Sequence, residues 1–128
     1  MGLRGGDTFQ AADPQREPHL WIILSAPEHY PQDPVLIVNL TSLRPGSETT
    51  CLLTRGDHPF IRHKSCVNYR DSRLVDRRKL EDALERQLLL RRRRMSARLL
   101  RRIRAGAAAS PHIPLANLQI LRDQGLVD

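Results

Sequence analysis

Aromatic residues make up only 4% of this 128-residue chain, against 40% hydrophobic residues overall, so any core must be built from aliphatic side chains. Cysteine is nearly absent: two residues make no disulfide framework and suit the reduced thiols of a cytoplasm. Long apolar runs are missing as well. The longest, "LWIIL" at Leu20–Leu24, is far too short to span a bilayer, and the opening "MGLRGGDTFQ" holds no apolar signal core, so no membrane association is expected. The chain carries no Walker A motif, no Gly-x-Gly-x-x-Gly, no HExxH and no nucleophile elbow. It also lacks paired strand-end carboxylates of the kind that hold Mg²⁺. Nucleotide-dependent, zinc-protease and standard hydrolase chemistry are therefore without support.

What the chain has in excess is arginine, and it is concentrated. Residues 1–76 carry eight Lys/Arg against nine Asp/Glu, whereas residues 77–104 carry twelve against three. A basic block of this density reports a polyanion or an acidic protein partner, or else a solvated helix face. Its candidates for such contacts are Arg91, Arg92, Arg93, Arg94, Arg98, Arg101 and Arg102.

Length bounds the chain to a single domain. Up to about residue 75 the pattern is one of short strands cut by turn signals: "DTFQAA", "HLWIILS", "VLIVNLTSL", "TTCLLT" and "SCVNYRDSRL". The prolines of "APEHYPQDP" forbid helix and sheet interior between the second and third strands. Strands at this spacing, with little helix between them, argue a small antiparallel barrel over about residues 6–75. Alternation places Trp21, Ile23, Leu36, Val38, Leu40 and Leu52 on its inward faces.

From residue 76 to 128 the periodicity becomes helical. Leu80, Ala83, Leu84, Gln87 and Leu88 follow a 3.6-residue repeat after Asp76, a good N-cap. Met95, Leu99, Leu100 and Ile103 resume it after Ser96. The run Arg91–Arg94 would put like charges on every face of one helix, so the spacing predicts two helices jointed near Leu90–Arg94. "LANLQILRDQG" adds a third, short one.

The stretch "GDHPFIRHKSCVNY" at Gly56–Tyr69 concentrates chemistry-bearing residues. With Cys51 it spells C-x6-H-x4-H-x2-C, ligand types that zinc accepts, but without the close Cys pairs of structural zinc knuckles. No metal is expected there. His58 and His63 are either loop acid–base groups or simple turn and strand-end residues. Cys66 reads as a buried strand residue.

Three strand motifs, in order, resemble the MazF/PemK-like family of toxin endoribonucleases. That family opens on a Gly-Asp pair, matched by Gly6 and Asp7. Its second strand ends in Ser, as "HLWIILS" does, and its third in a Thr-Ser or Thr-Thr pair, matched by Thr41 and Ser42. A strand leading to "SRL" and a helix then follows, as in "YRDSRLVDRRKLEDAL". The resemblance covers Gly6 to Leu84. It implies an SH3-like β-barrel with a helix packed on it, usually a homodimer. The implied activity is metal-independent, cofactor-free cleavage of single-stranded RNA by the toxin of a type II toxin–antitoxin pair, restrained by an acidic antitoxin.

Catalysis in that family is assigned to an Arg before the second strand and the Thr ending the third. Thr41 matches the Thr, and His19, preceded by Pro18, stands where the Arg would be. An imidazole supplies acid–base chemistry near neutral pH where an arginine supplies charge. The candidate catalytic set is therefore His19, Thr41, His58 and His63, with Arg16, Ser42, Arg44, Arg62 and Lys64 as substrate contacts. The alternative is a barrel without catalysis that binds nucleic acid or an acidic protein.

Overall fold

A run of β-branched and aliphatic residues long enough to be buried on both faces belongs at the centre of a sheet. "VLIVNLTS" is that run here. A computed structural model of the chain describes residues 2–13, 15 and 19–128. In it Val35–Ser42 forms β3, one of the two central strands of the sheet. Around it lie β1 (Thr8–Ala11), β2 (Trp21–Ile23), β4 (Leu52–Leu53), β5 (Ser65–Val75) and β6 (Leu89–Arg92). The helices are α1 (Arg77–Glu85), α2 (Ala97–Ala109) and α3 (Leu115–Asp123). Every strand pairing is antiparallel, in the order β4-β5-β3-β2-β1-β6.

The expected β-rich domain followed by helices is what forms, with two corrections. The sheet is open rather than a closed barrel: β4 and β6 end it, and among the described residues they do not pair. Only Leu52 and Leu53 of "TTCLLT" join the ladder, too short a strand to carry the sheet round to its other edge. The second correction concerns the helical joint. Leu89–Arg92 is the strand β6, in register with β1 through Thr8↔Arg92, Phe9↔Arg91, Gln10↔Leu90 and Ala11↔Leu89. The helix that should have run through Leu88 ends at Glu85, Gln87 turns the chain back with φ 59°, and Leu88 is left exposed. Four consecutive arginines in a packed helix would turn one charge into the core, whereas an edge strand leaves Arg91 and Arg92 exposed.

Both helix starts were legible. The Asp76 carboxylate accepts from the backbone N–H groups of Arg78 (2.8 Å) and Lys79 (3.1 Å), and the Ser96 hydroxyl accepts from Leu99 N–H (3.1 Å). These bonds satisfy amides that the first helical turn leaves unpaired.

The core is in two parts, one on each face of the sheet. Leu20, Ile22 and Leu24 join Leu36, Val38 and Leu40 under α2 and α3, where Leu99, Ile103 and Leu121 are buried. Phe9, Ile23, Val35 and Ile37 form the other face with Leu3 and Leu80 of α1, and Leu84 packs against them half-buried. Leu36, Val38 and Leu40 thus face the main core as alternation requires. Trp21, Ile23 and Leu52 do not: their neighbours Ile22 and Leu53 take those places. With both faces covered, alternation alone does not say which face is which. Trp21 lies half-buried beneath the Arg73 guanidinium, 4.8 Å from its ring centre.

One close approach locks α2 onto β5. The Tyr69 hydroxyl, fully buried, donates to the Ile103 carbonyl at 2.7 Å, and burial pushes the phenol pKa well above its ordinary range. Gly106 passes directly over it: a Cβ there would lie 2.1 Å from the Tyr69 oxygen and 3.1 Å from Cys51 Cβ. Gly106→Ala is therefore expected to destabilise the domain by about 1–3 kcal/mol, the usual cost of overpacking. In a denaturation series, Tyr69→Phe should recover part of that loss in the double variant, because it removes the nearest clashing atom. Strict additivity of the two substitutions would show that the contact is not the reason for the glycine.

Candidate functional site

Strand register brings the candidate residues together. Trp21 pairs with Asn39, and the same ladder continued, with Leu40 N–H donating to the Leu20 carbonyl at 3.0 Å, sets His19 opposite Thr41. On its other side β3 pairs Thr41 with Cys66 and Ser42 with Ser65. His19, Thr41 and Cys66 thus form one cross-strand row, with Ser42 and His63 beside it.

His19, Thr41, Ser42 and His63 line a groove of about 870 Å³. From the expected set it receives His19, Thr41, Ser42, Arg44, His58, Arg62 and His63, with Arg92 at the end of β6 and Arg93 just after it, together with Phe60. Among the described residues that line it none is acidic. Beyond the loop of residues 58–62 a second groove of about 960 Å³ adds Arg55 and Arg94, with Asp57 as its carboxylate. Cationic side chains, two imidazoles, hydroxyls and an aromatic ring facing one cleft make a surface suited to a phosphodiester chain.

The hydrogen bonds sort the histidines into different roles. His19 Nδ1 lies 3.1 Å from the Leu40 carbonyl, which can only accept, so the Nδ1 proton is donated there. His63 is exposed, and its Nε2 lies 2.7 Å from the Ser42 hydroxyl. His58 is different: it is 5% exposed, its Nε2–H donates to the Arg93 carbonyl, and its Nδ1 accepts from Phe60 N–H at 3.1 Å. A ring with both nitrogens so engaged has no proton or lone pair for a substrate. The expectation of a catalytic His58 is therefore corrected. It ties the loop after β4 to the residue after β6, across the gap where the sheet stays open.

The remaining expectations divide similarly. Thr41 Oγ1 is half-buried, 3.3 Å from Cys66 Sγ. Lys64 is exposed but does not line the groove, and Arg16 lies outside the described residues. Of the basic block, Arg98 and Arg101 are exposed on α2 away from the groove, and Arg102 donates to the Leu52 carbonyl at 2.7 Å. Arg104, which sequence reasoning passed over, clamps the Leu24 and Ser25 carbonyls at 2.7 and 3.1 Å. Burial lowers its pKa, helped by Arg94 and opposed by Glu28, yet a guanidinium stays charged.

The zinc-like spacing does not assemble. Cys51 is buried beside Tyr69, its thiol pushed up mainly by burial, while His58 and His63 face different neighbours. Among the described residues no three His, Cys, Asp or Glu side chains converge on one point.

The arginine run owes its path to one carboxylate that sequence reasoning saw only as half of a Gly-Asp pair. Asp7, 8% exposed, accepts at Oδ2 from Arg91 (3.2 Å) and from Arg4 N–H (2.9 Å), and at Oδ1 from Arg94 Nε (3.2 Å). Arg92 Nε donates to Gln10 Oε1. The Arg93 side chain makes no hydrogen bond to the described residues, while its carbonyl accepts from Thr8 Oγ1 at 2.7 Å as well as from His58. Removing the Asp7 charge leaves two neighbouring guanidinium groups facing an uncharged buried amide. Asp7→Asn should lower unfolding free energy by about 2 kcal/mol, less than for a fully buried pair because both arginines are partly solvated. Unchanged stability in denaturant would show that other contacts hold β6.

In comparisons with known proteins, no family model, no curated protein and no solved structure matches this chain.

Proposed function

We propose that the protein is a toxin-like, metal-independent endoribonuclease that cleaves single-stranded RNA through the RNA's own 2′-hydroxyl. The observation that carries this reading is the pair His19 and His63 lining one arginine-rich groove with no acidic residue among those described there. Transphosphorylation needs a base, an acid and positive charge around the phosphorane, and this groove holds all three.

In the proposed step His19, its ring oriented by the Nδ1–H bond to the Leu40 carbonyl, acts as the base that takes the 2′-hydroxyl proton. The 2′-oxygen bonds to phosphorus and the bond from phosphorus to the 5′-oxygen breaks. Protonated His63, steadied by the Ser42 hydroxyl, gives its proton to that leaving oxygen. Arg44, Arg62, Arg92 and Arg93 neutralise charge on the phosphate, and Phe60 offers a face on which a base can stack. Thr41 at the groove wall completes the set as a hydroxyl donor to a phosphate oxygen. The acidic antitoxin and the homodimer belong to the same proposal.

The alternative is a non-catalytic module that holds nucleic acid or an acidic partner in the same groove. The arginines favour it equally; the two imidazoles do not. Purified protein in the presence of a chelator should cleave single-stranded RNA, and His19→Ala and His63→Ala should each reduce the rate by roughly a hundred- to ten-thousandfold with the fold intact. Activity that survives both substitutions, or that a chelator abolishes, would sink the mechanism. Wild-type protein that binds RNA without cutting it would hand the site to the binding reading.

Binding itself gives a separate measurement. Arg62→Gln with Arg93→Gln removes two groove charges that make no side-chain hydrogen bond to described residues. RNA affinity should fall, and the slope of log affinity against log salt should flatten by about 0.7 per lost phosphate contact. An unaltered slope would place the RNA elsewhere on the surface.

A further inference from the structure

Thr41 lines a second cavity as well as the arginine groove, so the two share a wall. This pocket is smaller, about 230 Å³, below the range of drug-sized ligand sites and of a size for one planar ring system. The connection from β3 to β4 gives it Glu48, β5 gives it Asn68 and Arg70, and the connection from α2 to α3 gives it His112.

Its polar groups are unevenly satisfied. Glu48 Oε2 accepts from the Thr50 hydroxyl at 2.7 Å and from the Ser110 hydroxyl, which fixes the carboxylate in the pocket wall. Glu48 Oε1 is buried and has no hydrogen-bond donor among the described residues. A carboxylate oxygen withdrawn from water without a donor is costly, so the arrangement favours a ligand that brings N–H groups. Arg70 donates from Nη2 to His112 Nδ1 at 3.0 Å, which holds that guanidinium at the pocket and leaves the neutral His112 proton on Nε2. The Asn68 side chain makes no hydrogen bond to the described residues, so both ends of its amide are open to a ligand.

We infer that this pocket reads a guanine base of the RNA next to the cleaved phosphate; the inference rests on the RNA-cleavage reading of the adjoining groove. Guanine alone among the four RNA bases presents two adjacent donors, N1–H and N2–H₂, and on the neighbouring edge two adjacent acceptors, O6 and N7. A carboxylate answers the first edge and a guanidinium the second. Uracil has a single ring N–H, while adenine and cytosine each offer one amino group beside an acceptor nitrogen, so none of them fills both. Thr41 in the common wall places the base within one nucleotide of the arginines and histidines.

The test titrates the protein with the four nucleoside 3′-monophosphates and, separately, maps its cleavage sites in a mixed-sequence RNA. Guanosine 3′-monophosphate should bind about tenfold tighter than the other three, and cleavage sites should share a guanosine at one fixed position. Glu48→Gln should erase the guanosine preference while leaving adenosine 3′-monophosphate binding unchanged. Glu48 also braces Ser110, so Arg70→Gln, at an exposed residue, serves as a second variant with the same expected loss. Equal affinity for the four nucleotides, or a preference that persists in both variants, overturns the inference. A guanosine preference in protein that cleaves no RNA upholds the pocket and sinks the nuclease. Cleavage at unselected bases with equal affinities does the reverse.

Discussion

The Asp7 carboxylate, buried between Arg91 and Arg94, is the interaction on which the rest of the basic surface depends. Four consecutive arginines repel one another, and at the reduced dielectric beside a core that repulsion is not fully screened. Asp7 takes two of them and the amide of Arg4, which lets Leu89–Arg92 pair with β1 as a strand. The other two, Arg92 and Arg93, are then left lining the groove. One carboxylate therefore decides both where the sheet ends and which guanidinium groups are available to a polyanion.

The second constraint is that both faces of the sheet are covered. Helices α2 and α3 occupy one side and α1 with Leu3 the other, so the strand positions left for a ligand are those at the end of β3 and the start of β5. What remains is the unclosed margin where β4 is too short to continue the ladder. His58 bridges that margin with a side chain instead of a backbone pair, and the two large grooves lie on either side of its loop. The openness of the sheet and the presence of the site are thus one geometric fact. A closed barrel would have consumed the backbone edge that here gives way to an arginine-lined cleft.

Much of this was legible in the residues because it depends on local chemistry. β3 is visible as an apolar β-branched run, the caps Asp76 and Ser96 as short polar side chains before amphipathic repeats, and His19, Thr41 and Ser42 as the polar ends of strands. The parts that were not legible depend on distant partners. Nothing near Leu89–Arg92 announces a strand, since its partner is eighty residues earlier and its charge is balanced by Asp7. Trp21 and Ile23 were placed on the wrong face because a sheet buried on both sides gives no alternation to read. His58 looked like His63 in sequence; only the Arg93 carbonyl separates a buried brace from an exposed imidazole. Glu48 carried no local signal at all, because the pocket it lines is assembled from the α2–α3 connection more than sixty residues away.

The account stands or falls on whether the groove performs chemistry through the substrate's 2′-hydroxyl. Mass spectrometry of the ends of cleaved RNA measures this most directly. Attack by the 2′-oxygen, with His19 and His63 moving the protons, leaves a 2′,3′-cyclic phosphate on one fragment and a 5′-hydroxyl on the other, and RNA carrying a 2′-O-methyl at the cleavage position stays whole. Fragments ending in a 3′-hydroxyl and a 5′-phosphate, or cleavage of the 2′-O-methyl substrate, would contradict it.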